Sequence, residues 1–140
     1  MYHTSHIHGP LRRVKSHYNL SANDFTVTGM AALAVSVNRG IDISHISISI
    51  NKVAWDQLVT KYPLLKSQVV RNSLRKQKYI RLFDNVFAEC ENIPDKDSIW
   101  VSGYKFVKQK VVRAELKSLR AEAVREKDKE LYDKWLEYSK

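Results

Sequence analysis

Residues 45–82 read HISISINKVAWDQLVTKYPLLKSQVVRNSLRKQKYIRL. Ile46, Ile48 and Ile50 alternate with His45, Ser47 and Ser49, the period of a strand with one buried face. Asn51 then offers a helix N-cap, and Val53, Trp55, Leu58, Val59 and Tyr62 follow at helical spacing until Pro63 stops the helix. A second helix is predicted over 67–88, with Val70, Leu74, Leu82, Phe83 and Val86 as its apolar stripe. It would carry Arg71, Arg75, Lys76, Lys78 and Arg81 with no acid before Asp84. Arg71, Arg75 and Lys78 lie four and three residues apart, so a helix puts them on one face. Like charges so placed repel by a few tenths of a kcal/mol per pair. Stability alone does not select that pattern, whereas a row of bound phosphates relieves it.

Composition points the same way. The 24 Lys and Arg against 15 Asp and Glu give a net charge of +9, which favours DNA, RNA or an acidic protein surface as partner. The chain of 140 residues, 44% hydrophobic, suffices for one domain with a core. Cys90 is the only cysteine, which excludes an internal disulfide and a cysteine-based zinc site and fits the reducing cytoplasm. The N-terminus lacks the apolar core of a signal peptide. The longest apolar run, Met30 to Val37, falls short of the roughly 20 residues a bilayer span needs, so no membrane partner is expected.

Three segments are expected. Residues 1–20 form a basic N-terminal arm in which Arg12, Arg13, Lys15 and His17 either follow a phosphate backbone or are simply solvated; Gly9-Pro10 punctuates it. His6 and His8 share a side if the arm is extended, but no carboxylate or thiol completes a ligand set, and no metal is expected. Residues 21–103 form a helical core domain with a short strand. It opens with a helix at 21–39, with Ser21 and Asp24 as a capping box and Gly40 as its stop, apolar nearly all round. The strand at 45–50 needs a partner. Either 98–107, SIWVSGYKFV, supplies it, or the same strand of a second subunit does. Residues 89–97 make a solvated acidic turn. Residues 104–140 read as one long helix. Its stripe of Val112, Leu116, Leu119 and Ala123 lapses over 125–130 and resumes at Leu131, Trp135 and Tyr138. The fold expected is therefore α+β, mainly helical, with about four helices and a short β element.

ISISI, a short amphipathic helix, and then Ser67, Val70, Arg71 and Leu74 in SQVVRNSL resemble the ribbon-helix-helix group of DNA-binding proteins. The resemblance implies an intertwined dimer whose paired strands enter the major groove. His45, Ser47 and Ser49 would face base edges, and the backbone near Lys66 and Ser67 would hold a phosphate.

No Gly-rich phosphate loop, G-x-S-x-G elbow or H-E-x-x-H motif is present, so neither an enzyme nor a cofactor is expected. The reading that follows is a small, basic, cytoplasmic double-stranded-DNA-binding protein, a regulator or an architectural factor. Arg71, Arg75, Lys76, Lys78, Arg81, Lys66, Arg12 and Arg13 would contact phosphates. One alternative is a phage or mobile-element accessory protein that docks on a host protein or ribonucleoprotein through its C-terminal helix, with Trp135 and Tyr138 at the contact. Another is RNA binding, with Tyr79 and Phe83 stacking on bases.

Overall fold

The computed structural model describes residues 2, 4–71 and 78–140. Its centre is a seven-stranded mixed sheet, and five α-helices pack around it among the described residues. This corrects the expectation of a mainly helical protein with a short β element. In chain order the elements are α1 (Thr4–Tyr18), β1 (Phe25–Thr28), α2 (Gly29–Ser36), β2 (Ile46–Ile50), α3 (Lys52–Lys61), β3 (Val69–Arg71), β4 (Lys78–Phe83), β5 (Val86–Cys90), β6 (Ser98–Val101), β7 (Tyr104–Val107), α4 (Gln109–Glu122) and α5 (Glu126–Tyr138). The strand order is β3-β4-β5-β2-β1-β7-β6.

The alternating stretch is a strand, as its period dictates, but it sits in the sheet interior. β2 pairs antiparallel with β1, Ile48 opposite Val27, and parallel with β5, Ile48 opposite Ala88. Its partners are therefore neither 98–107 nor a second subunit, because both of its edges are hydrogen-bonded within the chain. Residues 98–107 pair with themselves. Ser102 (φ 51°) and Gly103 (φ 86°) both take left-handed conformations, the pair that a tight two-residue hairpin turn requires.

The segment expected as a basic helix is instead a 3₁₀ turn over Pro63–Gln68, then β3, then the β4–β5 hairpin. Its apolar residues fit either period. Ile80 with Leu82, and Val86 with Ala88, alternate at two just as Leu82 and Val86 recur at four. The sheet decides between them, because β5 fills the second edge of β2 and an unpaired interior strand would leave its backbone polar groups unsatisfied.

Two further helices are redrawn. Ser21 and Asp24 do meet, the Ser21 amide donating to Asp24 Oδ2 at 2.8 Å, but they close a turn. FTVT then runs extended with all four residues buried, the preference of β-branched and aromatic side chains in a sheet. Gly29 (φ 66°) turns the chain straight from β1 into α2. The long C-terminal helix is really β7 and two helices. Ala123 and Arg125 are extended (ψ 133° and 136°), so α5 folds back on α4, and Arg120 clamps Asp133 at 2.8 Å.

The two faces of the sheet differ. Phe25, Val27, Ile46, Ile48, Ile50, Val86, Ala88 and Phe106 form one face, and all are buried. α1 seals it with Ile7, Leu11, Val14 and Tyr18, spaced at helical intervals and equally buried. Residues expected as an arm are thus core. Pro10 lies inside α1 and removes a helix hydrogen bond, a loss of about 3 kcal/mol. Burying four large side chains at about 1.5–3 kcal/mol each outweighs it. The opposite face carries Thr26, Ser47, Ser49, Phe87 and Glu89, and α2, α4 and α5 cover it at the Thr28 end.

Candidate nucleic-acid interface

Where α1, the end of α3 and the β4–β5 turn meet, cations and rings interleave on the surface. Burial of Leu11, Val14 and Tyr18 fixes the rotation of α1 and leaves Arg12, Arg13, Ser16 and His17 exposed. Arg12, Arg13, Ser16, His17 and Phe83 line one shallow depression. The Arg13 guanidinium sits 4.5 Å above the centre of the Phe83 ring. His17 meets that ring edge-on at 5.5 Å and stacks on Tyr62 at 6.5 Å. The Tyr62 hydroxyl donates to the His17 carbonyl at 3.3 Å, and Lys61 Nζ lies 5.5 Å from the Tyr62 ring centre. Beneath them the Tyr18 hydroxyl donates to the Leu82 carbonyl at 2.8 Å and ties α1 to the hairpin. Burial and the neighbouring Tyr62 raise the Tyr18 pKa, so it stays protonated as that donor. Lys66 is exposed in the 3₁₀ turn that follows Tyr62.

None of these cations has an ion-pair partner among the described residues. The ion pairs among the described residues join Lys52 to Asp56, Arg120 to Asp133, Arg125 to Asp128, Lys129 to Glu126 and Lys140 to Glu137. Arg12, Arg13, Lys61 and Lys66 belong to none of them. The rings, in contrast, are engaged: Phe83 and Tyr62 are half-buried and already covered by Arg13, His17 and Lys61. The surface therefore offers charge more than free aromatic faces.

The expected phosphate contacts divide. Arg12, Arg13 and Lys66 fall on or beside this surface. Arg81 does not; it pairs with Phe87 in the ladder and lies over that ring at 5.4 Å on the other face of the sheet. Arg71 and Lys78 are Cα partners at the end of the β3–β4 ladder. Arg75 and Lys76 lie outside the described residues. The single cationic helix face is thus replaced by a cluster drawn from three elements. His17 of the expected basic arm joins the cluster, and Lys61 and Tyr62, which had no expected role in it, complete it. The sequence signal for those two was adjacency alone, Tyr62 beside Lys61.

The three expected base contacts are not presented together. Ser49 is 1% exposed and donates to Glu89 Oε1 at 3.3 Å. The Ser47 carbonyl accepts from Thr28 Oγ1 at 3.4 Å. His45 precedes β2, edge-on to Phe87 at 5.4 Å, and burial lowers its pKa. At the C-terminus Trp135 and Tyr138 are half-buried. Trp135 packs edge-on to Tyr132 at 6.0 Å, and the Arg39 guanidinium covers Tyr138 at 5.2 Å. Both rings pack against the core, and the Arg39 contact ties α5 to the segment after α2.

His6 and His8 do not share a face. The helix exposes His6 and buries His8, whose Nε2 is 3.1 Å from the Tyr2 hydroxyl. Among the described residues no three His, Cys, Asp or Glu side chains converge as a metal site. No helix among them is long and apolar enough to cross a membrane. In comparisons with family models, curated proteins and solved structures, the chain matches none.

Proposed function

We propose that this protein binds nucleic acid through its phosphate backbone, with Arg12, Arg13, Lys61 and Lys66 as the contacting groups. The observation that carries the reading is a cluster of exposed cations, outside every ion pair of the described residues, of which Arg13 rests on Phe83 and Lys61 lies against Tyr62. A surface built for stability alone places carboxylates among such charges, and one built to hold phosphates leaves them open. Because the rings are occupied, phosphates rather than bases are the recognised groups. This favours weakly sequence-selective duplex binding, the behaviour of an architectural factor, over base-specific regulation.

Titration of duplex DNA by fluorescence anisotropy across salt concentrations tests it. Four neutralised phosphates give a slope of log K against log salt of about −3.6. A flat response, or no binding at low salt, overturns the proposal. Competition with single-stranded RNA separates the duplex reading from RNA binding, since an RNA-binding surface would prefer the single strand.

A further inference from the structure

A polar pocket opens on the far face of the sheet from α1, at the end that α2, α4 and α5 leave uncovered. We infer that it binds one ring of a neutral sugar, with Trp100 as the aromatic wall beside it. The site follows from the strand register. Ser49 stands opposite Glu89 on one side and Thr26 on the other. Val27 opposite Phe106 in the parallel ladder sets Thr26 beside Lys105, and Lys105 stands opposite Trp100. Neighbours across a ladder share a face of the sheet, so these groups form one row that ends on an indole. Thr26 and Ser49, 3% and 1% exposed, line the pocket from the strands, and Asn51 and Asn92 line it from the strand ends. Its volume is about 320 Å³. A cavity of about 150 Å³ encloses one benzene, so twice that takes one hexose ring with its hydroxyls.

Two features set the chemistry of the ligand. The first is what is buried and still free. Every charged group of the lining is either engaged or in water: Lys105 Nζ donates to the Asn23 carbonyl at 3.1 Å, Asp24 Oδ2 accepts from the Ser21 amide at 2.8 Å, and Glu91 and Asp95 are exposed. No sign of charge is selected. The Thr26 hydroxyl, in contrast, has no hydrogen-bond partner among the described residues although its residue is buried. Ser49 spends its proton on Glu89 at 3.3 Å and keeps lone pairs to accept. A hydroxyl donates and accepts at once, and so does the group that best matches it, another hydroxyl. The second feature is Trp100, a large ring left 54% exposed beside this polar lining. Lys105 Nζ lies 5.9 Å from its centre, on the pocket side. A sugar ring combines the two requirements, an apolar C–H face for the indole and hydroxyls for the buried polar groups. The site shares no residue with the cationic surface on α1.

The probes are D-glucose, D-galactose and D-mannose, their methyl glycosides, and cyclohexanol, which keeps a ring and one hydroxyl. The readout is the Trp100 indole N–H resonance of the full chain, assigned with Trp100→Phe. At least one hexose should shift it saturably, and cyclohexanol should not. Binding of the methyl glycoside as well identifies the end unit of a glycan, and binding of the reducing sugar alone identifies a free hexose. Thr26→Val keeps the shape of the side chain and removes its hydroxyl. That hydroxyl has no partner among the described residues, so the melting temperature should hold while hexose binding weakens about tenfold, the loss of one buried hydrogen bond. Trp100→Ala, at an exposed position, should abolish the saturation-transfer signal of the bound sugar. No saturation by any hexose up to about 100 mM, a cyclohexanol response equal to theirs, or hexose binding unchanged by Thr26→Val or by Trp100→Ala overturns the inference.

Discussion

Protonation of His8 should set the acid limit of this fold. The ring is 4% exposed, wedged between Tyr104 at 5.5 Å and Phe106 at 5.7 Å, and Nδ1 has no hydrogen-bond partner among the described residues. Burial, with a smaller push from Arg12, lowers its pKa below the ordinary value of 6.5. Burial lowers His45 in the same direction. A histidine depressed in the folded state binds its proton more readily once unfolded. The stability it confers is therefore complete above pH 6.5 and declines as pH falls from there toward the folded-state pKa. Each such group contributes a limiting slope of about 1.4 kcal/mol per pH unit. The contribution runs in the same direction for both, and the more deeply buried His8 should supply the larger part. The perturbation is His8→Phe, which keeps a ring among Tyr104 and Phe106 and removes the titrating group. It forfeits one hydrogen bond with Tyr2, about 0.5–1.5 kcal/mol at every pH. Urea unfolding followed by circular dichroism between pH 5 and 8 gives the comparison. The parent should lose stability steeply below pH 6.5, and the variant should lose most of that slope. Parallel pH profiles, offset but equally steep, would refute the assignment of the acid sensitivity to His8.

Two other substitutions probe how the fold is held. Leu11→Ala empties a fully buried position on α1 and should destabilise by about 2–5 kcal/mol in urea melts, where a solvated arm would show no change. Asn51→Ala removes the acceptor of the Ala54 amide at the start of α3, a 2.9 Å bond; about 1 kcal/mol should be lost, and Asn51→Ser should restore most of it.

Local signals were legible where one partner sufficed. Asn51 caps α3, Pro63 ends it, and Ile46, Ile48 and Ile50 mark a buried strand face, all readable from spacing. What the sequence hid was pairing. FTVT beside an apolar run reads as one helix until β2 and β7 flank it, and residues 78–90 satisfy period two and period four alike. Basic residues on a presumed arm gave no hint that Leu11 and Val14 between them were core. Nor did anything local report the backward turn at Ala123–Arg125, which carries no glycine or proline. The same reasons scattered the expected site. Charge count and Tyr62 beside Lys61 were visible, but the meeting of Tyr62 with His17 across 45 residues and of Arg13 with Phe83 is a product of tertiary packing. Arg81 left the group because a strand, unlike a helix, sends alternate side chains to opposite faces.

The proposed interface is tested most directly by comparing salt slopes of duplex DNA binding between the parent, Arg12→Gln with Arg13→Gln, and a distal control, Lys108→Gln with Lys110→Gln. Each phosphate contact contributes about 0.9 to the slope, so the α1 pair should reduce it by about 1.8, and the α4 control should leave it unchanged. Equal slopes for the parent and the α1 variant, or a larger loss from the α4 control, would contradict the placement of the phosphate-binding surface on α1.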